Sequence, residues 1–145
     1  MTLYLAASWD RQDVIRRQVP RFERVGHQIT YRWWEQPGAT DPVILRRQAA
    51  QDLDGVAQAE ALVLYYHHPS EGKAVEMGFA LGRGIPVLVV GAPPPGCETL
   101  LFHHHPAVQH VATTRDAIAR LYELSSLRKR RSHTSKSSQR QSITA

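Results

Sequence analysis

Two short, wholly apolar runs, Ala61–Tyr66 and Pro86–Val90, constrain this chain most. Strands that read as continuous apolar residues are covered on both faces, as in parallel sheets. Between them lie a polar loop, Pro69-Ser70-Glu71-Gly72, and a nearly all-apolar helix predicted over Gly72–Arg83. Strand, helix and strand within Gln51–Gly91 therefore predict a βαβ unit with a right-handed crossover. One carboxylate, Glu76, lies within the apolar helix between Ala74-Val75 and Met77-Gly78-Phe79-Ala80-Leu81. A buried carboxylate is costly without compensation. Glu76 therefore pairs with Lys73 three residues earlier, lies on an exposed edge of the helix, or performs chemistry. The loop suits an anion: Ser70 is the expected N-cap, and Gly72 lets a ligand approach the free N–H groups at the helix start.

The rest of the chain continues the alternation. Leu3–Ala7 reads as a first strand and Ser8-Trp9-Asp10 as the turn after it. Arg11–Val25 has helical spacing through Val14, Ile15, Val19, Phe22 and Val25, with Pro20 expected to kink or divide it and Gly26 to stop it. His27–Trp34 alternates as a second strand with Ile29, Tyr31 and Trp33 on one side. Asp41-Pro42 begins a helix running to about Gln58. Gly91–Gly96 is a proline-rich loop, Val108–Ala112 a short fifth strand, and Thr114 starts a last helix to about Leu124. The order predicts an α/β fold with a parallel sheet and helices on both faces. Ligands in such folds bind beyond the carboxyl ends of the strands. Tyr4–Arg11, Tyr65–Gly72 and Gly91–His105 should therefore meet at one rim. No internal repeat is present.

Charge divides the chain. It carries 18 basic and 13 acidic residues, a net +5. Arg128, Lys129, Arg130, Arg131, Lys136 and Arg140 lie in an acid-free, Ser-rich end, so residues 1–127 hold a net charge of about −1. We expect one domain over 1–127 and a disordered basic tail over 128–145, able at most to make weak polyanion contacts. No apolar run spans a membrane, and the start lacks a signal peptide's basic region. The single cysteine, Cys97, excludes an internal disulfide framework. A cytoplasmic protein is expected.

No GxGxxG, Walker loop or GxSxG elbow is present. His67-His68 and His103-His104-His105 lack metal-ligand spacing, so no metal site and no cofactor are expected. Cys97 has no evident partner for nucleophilic work. Asp54 reads as a solvated helix residue.

Four segments together resemble the nucleoside 2-deoxyribosyltransferase-like family, which includes the 2′-deoxynucleoside 5′-phosphate N-hydrolases. They are Tyr4-Leu5-Ala6-Ala7-Ser8; Gly26–Thr30 with Arg32-Trp33; Gln51-Asp52-Leu53 through Ser70-Glu71-Gly72-Lys73-Ala74-Val75-Glu76-Met77-Gly78; and Leu101-Phe102-His103-His104 through His110–Thr113. The resemblance covers about residues 2–124. It implies a flavodoxin-like Rossmann variant with five parallel strands, and a homo-oligomer acting on a small nucleoside or nucleotide. It implies that Glu76 is the nucleophile at C1′ of a (deoxy)ribosyl group, that Asp52 handles the proton of the departing base, and that Tyr4 positions Glu76. Ser8, Ser70 and Gly72 would line the sugar's 5′ end. Ser70 matches the nucleotide hydrolases, whereas the transferases carry an acid there. Where the hydrolases place an arginine this chain has Asp10, with Arg11 next to it, so nucleoside and 5′-monophosphate both stay open. Trp9 and Tyr66 could stack on a base; Trp9 could equally belong to the core or an interface. The glycosyl-enzyme would pass to water or to a second base. The alternative is a non-catalytic nucleotide sensor on the same fold.

Overall fold

The structure, a computed structural model, describes residues 1–92, 95–96 and 99–141, with side chains as far as residue 130. Five parallel strands, β1 (Thr2–Ala6), β2 (Gln28–Ile29), β3 (Ala61–Tyr65), β4 (Val87–Val90) and β5 (Val108–Val111), form one sheet in the order β2-β1-β3-β4-β5. This is the flavodoxin-like order expected above. Every residue of β3 and β4 is buried, as their composition requires. Helices α1 (Gln12–Glu23), α2 (Pro42–Gln58), α3 (Glu71–Gly82) and α4 (Thr114–Gln141) complete the fold. Right-handed crossovers put α2 and α3 side by side on one face and α1 on the other. α4 joins α1 there, where the Thr114 hydroxyl donates to Gln18 Oε1 at 2.9 Å.

Local chemistry sets the boundaries. Asp41 caps α2, its Oδ1 accepting from the Val43 N–H at 2.7 Å, and Pro42 occupies the first turn. Gly26 stops the chain after α1 at φ +85°, in the left-handed region.

Four expectations change. The second strand is only Gln28–Ile29; Trp33–Glu35 is a short 3-10 helix. Trp33 and Trp34 are both buried. The tight turn puts both indoles into the core, and Trp33 Nε1 donates to the Leu5 carbonyl at 2.8 Å. Pro20 does not divide α1; it lies on the exposed side, near the last turn. Val25 falls beyond the helix and is exposed. α3 buries Lys73, Glu76, Met77 and Ala80 but leaves Ala74, Val75 and Gly78 open, so it is not covered all round. Finally, α4 runs past Leu124 to Gln141, so the backbone of 128–141, expected to be disordered, is helical. That stretch has no Gly or Pro, and Arg, Lys and Gln favour helix. Among the described residues, no helix is long and apolar enough to cross a membrane.

Candidate active site

Tyr4 stands at the centre. It lies in register with Leu62 of the adjacent β3 and is fully buried. α2 and α3 cover this face and bring Asp52 and Glu76 to the same phenol. α2 can come so close because residue 55 is glycine. A Cβ there would stand 2.6 Å from Tyr31 Cβ and 3.2 Å from the Tyr4 ring.

The Tyr4 hydroxyl oxygen lies 2.8 Å from Asp52 Oδ1 and 2.8 Å from Glu76 Oε1. A phenol has one hydrogen and can donate it once. Both contacts are full hydrogen bonds only if one carboxyl is protonated and donates to the phenol oxygen. Electrostatics favour such a shared proton. Burial pushes Glu76 up from 4.5 to about 8; the Tyr4 hydrogen bond opposes this, Asp52 adds to it, and Lys73 lowers it. Burial likewise raises Asp52, against its hydrogen bond from Tyr4. Burial first, then the charges of Glu76 and Asp52, drives Tyr4 far above the ordinary phenol range. The phenol therefore stays neutral. It can accept a proton from one carboxyl while passing its own to the other. One arrangement leaves Glu76 ionised and Asp52 protonated; the other reverses them. Glu76 Oε2 is buried and has no hydrogen-bond partner among the described residues. An anchored carboxylate with one bare oxygen is equipped to act as nucleophile or base.

The other expected residues lie on two flanks. Trp9 is half exposed and 6.0 Å from Trp33. With Tyr31, Trp33, Gln36, Gln48 and Asp52 it lines a cleft of about 230 Å³. Ser70 is at the N-cap of α3, but its side chain makes no capping bond. It borders a separate, largely apolar cavity of about 280 Å³ with Tyr66, Lys73, Met77, Phe102 and His103. Gly72 is exposed, and a Cβ there would meet nothing within 4 Å, so packing does not demand the glycine. Ser8 is buried with its hydroxyl unpartnered. Arg11 is exposed. Asp10 pairs with His68 at 3.5 Å across the rim.

Asp54 is exposed, as its reading requires. His103 packs edge-on against Tyr66, 4.6 Å between centroids, and beside His110. Among the described residues, no group of three His, Cys, Asp or Glu could hold a metal ion. Cys97 lies outside the described residues. Sequence reasoning missed Tyr31 and Gln48 as cleft walls. Gln48 had a usable signal, standing one turn before Asp52 on the same helix face.

The sequence pattern described as nucleoside 2-deoxyribosyltransferase matches residues 3–95. Curated protein sequences give no match. Among solved structures, the chain is similar to the CMP N-glycosidase BcmB of Clostridium botulinum. The TM-score is 0.61 at 16% identity, over 83% of this chain and 98% of that one. That likeness is one of fold.

Proposed function

Since the chain belongs to the nucleoside 2-deoxyribosyltransferase family, we propose that it cleaves the N-glycosidic bond of a (deoxy)nucleoside or nucleoside 5′-monophosphate through Glu76. The observation that carries the reading is the Tyr4 phenol held between two carboxyls, one of which keeps a bare oxygen. Glu76 Oε2 attacks C1′, the bond to the base nitrogen breaks, and its electron pair takes the proton held by Asp52. The resulting glycosyl ester is opened by water or a second base, whose proton returns to Asp52. Burial holds the shared proton on Glu76 below about pH 8; Tyr4 orients Glu76 and relays that proton to Asp52 before the attack on C1′.

Geometry supports double displacement. The two bonded carboxylate oxygens are at most twice 2.8 Å apart. Retaining glycosidases hold their carboxyls about 5–5.5 Å apart, and inverting enzymes about 6.5–9.5 Å. The Trp9, Tyr31 and Trp33 cleft beside Asp52 offers flat apolar walls for a base. Ser8, Arg11, Ser70 and Gly72 take the sugar's 5′ end; a group there would meet the N–H groups of α3. The similarity of fold to an enzyme that acts on CMP favours a 5′-monophosphate among these substrates. The homo-oligomer expected from the resemblance remains part of this proposal. Exposed Val75, Leu101 and Phe102 support it, and sedimentation equilibrium tests it.

The test is incubation with ribo- and deoxynucleosides and their 5′-monophosphates, with and without an acceptor base, following free base by chromatography. Glu76→Ala should lower release by about 10³-fold or more. Release without acceptor identifies a hydrolase, and exchange that needs one identifies a transferase. Saturable binding with no release identifies a non-catalytic sensor and overturns the proposal.

A further inference from the structure

Lys73 is a charged side chain with almost no contact with water. It is 2% exposed and lies three residues before Glu76 on the inward side of α3. Residues so spaced on a helix are neighbours. Its ammonium donates to the His68 carbonyl and sits 4.7 Å from the centroid of the Tyr66 ring. Both contacts suit a cation, since a carbonyl oxygen and an aromatic face are electron-rich. The contacts also fix the loop between β3 and α3, and through His68 that loop reaches Asp10 on the opposite side of the rim.

We infer that Lys73 is a positioning residue for the Tyr4–Asp52–Glu76 group: its buried ammonium biases the shared proton away from Glu76 and toward Asp52. The inference rests on Glu76 as nucleophile. It adds a charge that opposes burial, which by itself keeps the proton on Glu76. The cation is carried on the same helix as Glu76, whereas Asp52 is on α2. A nearby positive charge favours the ionised form of the closer carboxyl. The groups that act on Glu76 are Tyr4 from β1, Asp52 from α2 and Lys73 from α3. Those that Lys73 acts on are His67 and His103, both held toward the neutral form by burial first. Lys73 is thus the cation that shifts the balance toward an ionised Glu76.

The experiment compares wild type, Lys73→Met and Lys73→Arg. The rate of base release is measured against pH on whichever substrate the wild type cleaves. The charge-free Lys73→Met should move the whole profile to higher pH by about 1–3 units, and Lys73→Arg should restore it. A lower rate with an unmoved profile in Lys73→Met would overturn the inference. A second readout needs no substrate. The difference in urea-unfolding stability between Glu76 and Glu76→Gln proteins, followed against pH, reports the proton affinity of Glu76. In the Lys73→Met background that difference should go on growing to a higher pH before it levels off, and an unchanged curve would overturn the inference. A wild type that releases no base would sink the proposed reaction, and the unfolding curves would still decide the role of Lys73.

Discussion

Tyr4 carries more of the site than either carboxylate, because it alone touches both. Tyr4→Phe keeps the ring and removes the relay. We expect it to lower base release by about 10²-fold, the lower range for a lost proton-transfer group, with little change in substrate affinity. A KM that rises while kcat holds would contradict the relay. Asp52→Asn should reduce release most for bases that leave poorly without a proton; a good leaving group should rescue it. The pH dependence of stability has a definite sign. Glu76 has a folded value of about 8 against 4.5 unfolded. Its contribution is thus fully present below about pH 4.5 and is lost as pH rises through 8. Glu76→Gln should therefore raise the melting temperature at pH 8 more than at pH 5. Between those two pH values the advantage of the amide should grow by about 1.4 kcal/mol for each pH unit. Equal gains at both pH values would count against a buried, reluctantly ionised Glu76. Glu76 was singled out as an acid inside an apolar helix, and Tyr4 and Asp52 by the family resemblance alone. Their meeting at one phenol was not legible, since it depends on how α2 and α3 pack.

At the scale of elements, α2 positions chemistry through an absence. Gly55 has no side chain, and this lets the helix lie against Tyr4 and Tyr31. Gly55→Ala should cost about 1–3 kcal/mol by overpacking and should lower activity further by pushing Asp52 from the phenol. A variant with wild-type stability in urea would show that α2 has more room than its contacts indicate. The strands β1, β3 and β4 were readable because continuous burial leaves a continuous apolar run. β2 was misread because alternation looks alike whether a strand or a turn produces it. Here the turn buries two adjacent tryptophans. Two cleft walls escaped notice for a related reason: Tyr31 and Gln48 belong to segments that no periodicity links to Trp9.

For the molecule as a whole, charge and chemistry are separated. The Tyr4–Asp52–Glu76 group sits in a body that is almost neutral, whereas six basic residues follow Leu127. Arg128 pairs with Glu60 at 3.2 Å and ties the start of that segment to the body. We expect truncation after Leu127 to leave base release unchanged. Elution from an immobilised polyanion should move to lower salt, as expected when basic contacts are lost. Unchanged elution would mean that the tail makes no polyanion contact. The two flanks of α3 carry a longer-term consequence. Most of the cleft wall that would select a base comes from residues 9–49, whereas the group proposed to break the bond stands at residue 76. Mutations can therefore reshape the preference for one base over another while the bond-breaking group is inherited intact. A chain built this way can diversify in what it consumes without reinventing how it does so.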